Sequence, residues 1–254
     1  KRAVGERGVR LDHMLESAGL FTPTYTKPMM RDAQGAETES NRQDIKNRSP
    51  LPREVEEAVI GELRKCVPKA EAVIIADQVQ ERNCGVITGR VRDEIAALAH
   101  AHSDKVFFAD SRQRIGEFRD VIIKPNKFEA ARALDPGFEG QVGLERARSL
   151  GLELARRNRR PVYVTVGEEG VLVCDAGQCT HVPGIRVDGE VDVVGAGDAT
   201  TAGIVSSLAA GASLQEAALV GCLVASITVQ QIGTTGTASP EEVVRRFVEK
   251  VEGQ

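Results

Sequence analysis

An α/β fold, a three-layer α/β/α sandwich around a mostly parallel central sheet, is what this sequence predicts, and three observations point to it. From residue 72 onward, short β-branched runs alternate with helical patterns, as when crossover helices join parallel strands. The runs are continuous rather than alternating, as in strands buried on both faces. The chain has 254 residues, 41% of them apolar, with 25 glycines. That composition suits one globular domain rather than a disordered or fibrous chain.

The elements follow in order. The opening reads as a helix with Leu11, Met14, Leu15 and Ala18 on one face, and no strand precedes it. A doubly wound domain ordinarily begins with a strand, so 1–254 is expected to be a single domain that lacks an N-terminal part. Thr22 to Met30 contains Pro28 and suits an edge strand or flap. The polar, charged stretch Arg31 to Arg53 is expected to be a mobile excursion, so that residues 22–50 form a lid. Glu54 to Cys66, Arg90 to Ala101 and Leu144 to Asn158 are amphipathic helices that cover the sheet.

Strands are predicted at Ala72–Ala76, Val106–Ala109, Val121–Lys124 and Val162–Thr165. Gly170–Asp175 and Gln178–Val182, separated by Ala176-Gly177, form an antiparallel hairpin that closes one sheet edge. Asp198 to Ala210 is a helix. Leu214 to Val229 is apolar almost all round, hence a buried helix. Ser213 with Glu216, and Ser239 with Pro240 and Glu242, form capping boxes.

Composition excludes several classes of function. Charges or turn residues interrupt every hydrophobic run before the roughly 20 residues that a bilayer span needs. Lys1 to Arg10 lacks the apolar core of a secretory signal. The cysteines at 66, 84, 174, 179 and 222 are odd in number and lack CxxC spacing. They read as buried thiols in a reducing cytosol, so the chain is expected to be soluble and cytoplasmic. A net charge of −4, two Tyr and no Trp give neither an electrostatic footprint nor a stacking platform for nucleic acid. Small-molecule chemistry remains.

The most informative segment is Val191 to Ala202, VDVVGAGDATTA, where a β-branched run passes through two glycines into a helix. Free N–H groups at a helix start favour an anion, and glycine lets the backbone approach it. Asp198 in that first turn could cap the helix. A carboxylate beside a phosphate site is otherwise costly unless it takes up a proton, as the general base for a hydroxyl nucleophile would. Two more segments follow predicted strands. Lys124 to Glu129 (KPNKFE) would turn Asn126 and Glu129 toward the carboxyl end of the sheet, where ligands bind in open α/β folds. Thr165 to Gly170 (TVGEEG) has glycines that permit a tight turn around a phosphate.

In this order, KPNxxE, TxGxxG and GAGD resemble the PfkB-type carbohydrate kinase family, also called the ribokinase family, from about Thr22 to the C-terminus. The resemblance implies an ATP-dependent kinase that phosphorylates a hydroxyl of a sugar or sugar phosphate. Asp198 would be the catalytic base, and the N–H groups of Gly195, Ala196 and Gly197 the anion hole. Asn126 and Glu129 would organise Mg²⁺ and its waters. Thr165, Gly167 and Gly170 would line the ATP phosphates and ribose, and the adenine would lie near Cys222. Asp192, Val194 and the turn Thr228 to Thr237, including Gln231 and Gly233, would supply oxygens to K⁺, although Val193 and Val194 stand where threonines are usual.

The ending QQIGTTGTASPEEV and the strand ends ADQ, ADSR and KPN look most like the heptose-phosphate kinase branch. The family's first signature, a glycine pair with an Asn, has no counterpart, which agrees with a missing N-terminal part. The remaining candidate substrate contacts are Asp77, Asp110 and Arg112. Pairing of relatives through lid strands implies a homodimer. Alternatives are a nucleoside or vitamin-precursor kinase of the same family, or a nucleotide-binding module without turnover.

Overall fold

The computed structural model describes residues 1–252. In chain order the elements are α1 (Arg2–Gly5), β1 (Thr24–Thr26), β2 (Met29–Arg31), β3 (Glu37–Glu39), β4 (Gln43–Ile45), α2 (Arg53–Cys66), β5 (Ala72–Asp77), α3 (Gly89–Ala101) and β6 (Val106–Ser111). There follow β7 (Ile122–Ile123), α4 (Lys127–Leu134), α5 (Leu144–Asn158), β8 (Val162–Thr165), β9 (Gly170–Asp175), β10 (Gln178–Pro183), α6 (Ala196–Ala209), α7 (Leu214–Thr228) and α8 (Pro240–Phe247).

A six-stranded sheet runs in the order β10-β9-β8-β7-β6-β5, parallel from β5 to β8 and antiparallel at the β9–β10 hairpin, which forms one edge as the sequence predicts. One core lies between this sheet and α2 to α5, with Ile95, Phe118, Ile123 and Leu154 buried in it. The other lies under α6 and α7 and holds Phe108, Tyr163, Ile204 and Cys222. Burying side chains of this size contributes roughly 1.5–3 kcal/mol each. The result is the three-layer sandwich. Helices α6 and α7 meet where a Cβ on Gly203 would come within 2.9 Å of the Gly221 Cα, so both positions need glycine for the two backbones to approach. Among the described residues, no helix is long and apolar enough to cross a membrane.

Two local expectations need correction. Residues 11–18 form turns and irregular chain rather than a helix. Met14 and Leu15 lie exposed there with no sheet face beneath them, and a helix gains most of its stability from such a face. The stretch after Arg31 is not an unstructured excursion, because β3 pairs back on β2 and β4 on β1, making a flap of two small antiparallel sheets. Val191 to Val194 is a loop, and Val191, Val193 and Val194 are exposed. Its backbone bond goes to another loop, from the Asp192 N–H to the Val229 carbonyl at 2.8 Å, so the β-branched run has no ladder to join.

Candidate active site at the carboxyl end of the sheet

The start of α6 carries the strongest arrangement. Gly195 is its N-cap residue at φ 81°, a left-handed conformation that costs glycine little, and its missing side chain leaves the helix start without a side-chain cap. The Ala196 N–H is taken by the Val193 carbonyl at 3.1 Å in a tight turn. Ala196 therefore leaves the expected set of anion donors. The N–H groups of Gly195, Gly197 and Asp198 have no hydrogen-bond acceptor among the described residues. The Asp198 side chain is exposed on this first turn, and no hydrogen bond or ion pair engages it among the described residues. It does not cap the helix.

Lys124 faces this helix start. Its ammonium would lie 3.7 Å from a Cβ built on Gly197, and it pairs with the Asp110 carboxylate at 2.8 Å. It is 3% exposed, so its charge acts where water screens little. Sequence reasoning passed over this residue, treating it as the last position of a strand. The available signal was a lysine immediately before the Pro-Asn that ends a buried strand.

Two residues farther on, Asn126 forms a parallel bridge to Thr165, and the Thr165 N–H donates to the Pro125 carbonyl at 3.0 Å. The KPN and TVGEEG segments thus sit side by side. Asn126 is also the N-cap of α4. Its Oδ1 accepts from the N–H groups of Phe128 and Glu129 at 2.9 Å each, and Glu129 Oε2 accepts from the Asn126 N–H at 2.8 Å. This capping box fixes both side chains, engaging the one amide oxygen of Asn126 and leaving Glu129 Oε1 outside the cap. Burial pushes the Glu129 carboxyl above its usual range, the neighbouring Asp110 pushes it further up, and the Asn126 N–H, Lys124 and Arg112 oppose that rise. One electrostatic neighbourhood therefore contains Glu129, Asp110, Lys124 and Arg112.

In the TVGEEG loop, Gly167 has φ 73° and Gly170 φ 101°. A Cβ at Gly170 would meet the Val182 carbonyl oxygen at 2.3 Å, so that glycine is required for the β9–β10 packing as well as for the turn. Lys127 and Glu169 reach across between the two loops at 3.9 Å.

Asp192 joins two other loops. Its carboxylate accepts from the Val194 N–H at 3.0 Å and the Gly233 N–H at 3.1 Å. Those two bonds, with help from Lys27 of the flap, hold it below the usual carboxylate range. The Gln231 amide closes its own loop by exchanging hydrogen bonds with the Thr237 backbone at 2.6 and 3.0 Å, and the Thr228 hydroxyl donates to the Ala225 carbonyl. The Asp192 to Gly195 segment and the 228–237 turn are in contact, since a Cβ at Gly195 would lie 3.0 Å from Thr235 Cγ2.

Three further candidate ligand contacts have the following surroundings. Asp77 is buried at 3% exposure, and Ser111 Oγ at 2.7 Å and Arg114 Nη2 at 3.1 Å occupy its carboxylate, so it braces two strand ends instead of presenting itself to a substrate. Cys222 is packed inside the second core, and burial raises its thiol to about 11. The Arg112 Nε donates to Gln78 Oε1 at 2.9 Å on the surface. Asp110 is the one of the two strand-end acids Asp77 and Asp110 that reaches the start of α6, through Lys124.

With this geometry in view, a family model for "pfkB family carbohydrate kinase" matches residues 1–242. The bifunctional protein HldE of Desulfatibacillum aliphaticivorans is 26% identical over 228 residues, 89% of this chain and 44% of that protein. Its counterpart in Wolinella succinogenes is 28% identical over 247 residues, 94% of this chain and 49% of the relative. The chain thus spans about half the length of these curated relatives. Among solved structures, a ribokinase from Thermotoga maritima superposes with a TM-score of 0.61 at 17% identity, covering 88% of this chain and 69% of that one. Phosphofructokinase-2 from Escherichia coli in complex with potassium gives 0.60 at 18%, covering 85% and 67%. These structures share the fold.

Proposed function

Because the chain belongs to the pfkB carbohydrate kinase family, we propose that it transfers the γ-phosphoryl group of ATP to a hydroxyl of a sugar or sugar phosphate, with Asp198 as the general base. One observation carries this reading. An exposed, unpartnered carboxylate stands on the same helical turn as the free N–H groups of Gly195 and Gly197, with the buried Lys124 ammonium against that turn.

Phosphoryl transfer asks a protein for position and charge stabilisation more than for covalent help. The N–H groups of Gly195 and Gly197 and the Lys124 ammonium face the charge on the transferred group, where preorganised donors act without reorganisation. Asp198 takes the proton that the acceptor hydroxyl gives up as it attacks. The Thr165–Gly170 loop lines the phosphates.

Glu129 Oε1, which the capping box leaves free, suits the waters of a hard, hydrated cation, and Asn126 fixes that carboxylate in place, so these residues would hold Mg²⁺ through its waters. When bound, Mg²⁺ supplies neutralisation of the phosphate charge. One carboxylate at Asp192 with carbonyl oxygens of Val194 and of the 228–237 turn suits a weakly hydrated monovalent cation such as K⁺, and carbonyl donors survive the valines at 193 and 194. The flap exposes Tyr25, Met29, Met30 and Ile45, an apolar surface that supports homodimer formation through it.

The matches to HldE proteins support a heptose phosphate as acceptor. Phosphorylation measured across sugars, sugar phosphates and nucleosides tests the proposal. Turnover on a sugar or sugar phosphate is expected. Turnover on nucleosides alone would favour the nucleoside-kinase reading, and ATP binding with no acceptor consumed would favour a regulatory module.

A further inference from the structure

Two cysteines far from the proposed phosphoryl-transfer chemistry stand directly opposite each other. In the β9–β10 hairpin the two-residue turn Ala176-Gly177 has φ 47° and 83°, positive at both positions as a type I′ turn requires. Asp175 and Gln178 flank it as the first pair, and Cys174 and Cys179 are the second. In such a hairpin the first pair exchanges backbone hydrogen bonds and the second does not. A non-hydrogen-bonded pair has its Cα atoms about 4.5 Å apart. That separation lies within the roughly 4.4–6.8 Å that a disulfide spans. Both side chains point to the α5 face. Cys174 is fully buried there, with its sulfur filling the space left by Gly151, where an added Cβ would lie 2.6 Å from it. Cys179 is half-buried at the same edge. Both are free thiols.

We propose that Cys174 and Cys179 form an oxidation site, in which a peroxide converts the facing thiols into an intramolecular disulfide across the sheet-edge hairpin. Cys179 is the attacking residue, because it alone of the two reaches solvent. Its neighbour Cys174 and the Arg148 guanidinium favour its thiolate, while partial burial and Glu145 oppose this. Cys174, buried and donating toward Cys179, is held protonated. A partly exposed low-pKa thiol next to a resolving thiol is the arrangement of peroxide-sensitive sites.

The steps balance. The Cys179 thiolate attacks one oxygen of hydrogen peroxide, the O–O bond breaks, and a sulfenic acid and hydroxide form. The Cys174 sulfur then displaces the sulfenic oxygen, and its proton leaves with that oxygen as water. Two thiols and one peroxide give one disulfide and two waters.

No Lys or Arg lies between Pro161 and Ile185, and trypsin does not cut the Arg160–Pro161 bond, so it releases both residues in the single peptide 160–186. The full reduced chain, exposed to hydrogen peroxide, alkylated and mapped, should yield this peptide lighter by two hydrogens and refractory to alkylation. Cys66, Cys84 and Cys222 should remain alkylated. Cys174→Ala should stop the reaction at a sulfenic acid on Cys179 that dimedone traps, and Cys179→Ser should leave Cys174 reduced. Cys174→Ser offers the same readout if the alanine variant does not fold. Sulfinic acid at Cys179 with Cys174 still free in the unmodified chain, disulfides only between chains, or a pair still reduced at peroxide concentrations that oxidise glutathione would each overturn the proposal.

Discussion

The Lys124 ammonium lies 2.8 Å from the Asp110 carboxylate and 3.7 Å from where a side chain on Gly197 would begin. This places a buried cation directly against the first turn of α6. Gly197→Val would fill the gap between them. The fold should survive, while kcat/KM for the nucleotide should fall at least about tenfold, as when an anion donor is blocked. Unchanged kinetics would remove phosphate from this turn.

Lys124→Met keeps length and removes charge. It leaves the Asp110 carboxylate without its cation in a poorly hydrated place, so stability should fall by up to about 3 kcal/mol, measured by urea denaturation, alongside a loss of turnover. A stable variant with a normal rate would show Lys124 to be a bystander.

Glu129 yields a pH prediction with a definite sign. Burial raises its folded-state pKa, so ionisation costs stability at pH above that value, and the cost vanishes as pH falls below the ordinary glutamate range. Glu129→Gln keeps the capping box and removes the charge. At neutral pH the variant should therefore be at least as stable as the parent, with the difference disappearing in acid. Its activity should nonetheless drop about 10- to 100-fold, the usual effect of losing a group that orients a metal's ligands. In the parent, the acid limb of the rate profile should lie above the ordinary glutamate range. A variant that is less stable at neutral pH, or equally active, would contradict this assignment.

Asp192 behaves oppositely. Its lowered pKa means that the bonds to Val194 and Gly233 contribute stability above the ordinary aspartate range and are lost as pH falls through the lowered value. Asp192→Ala should raise amide exchange at Gly233 by about tenfold or more and abolish any stimulation by K⁺. Protection at Gly233 equal to that of the parent would show that the two loops are held by other contacts.

At the hairpin tip, Ala176 carries a left-handed φ of 47°, which costs a residue with a Cβ roughly 1–2 kcal/mol. Ala176→Asn supplies the Asn-Gly pair that a type I′ turn favours and should stabilise the chain by about 1 kcal/mol in thermal denaturation. A lower melting temperature would refute this account of the turn.

The buried strands were legible because each is a continuous β-branched run bounded by turn residues, and β8 and α5 begin and end where the sequence places them. Spacing misled at Leu11 to Ala18, where no apolar face waits. GAGD, KPN and TVGEEG could be read because glycine and capping chemistry are local. Lys124 could not, since its role comes from a helix start more than 70 positions away in sequence that only tertiary packing brings to it. The functions of Asn126 and Glu129 as a helix cap were hidden for a simpler reason. α4 is only eight residues long, and its pattern is too short to stand out from the turn before it.

Steady-state and binding measurements on Asp198→Asn test the central claim most directly. The carboxylate makes no hydrogen bond or ion pair with the described residues, so the substitution should leave melting temperature and ATP affinity near the parent's, while kcat falls about 10²- to 10⁴-fold with the loss of a positioned base. A parent-like kcat in a folded, ATP-binding variant would contradict the account.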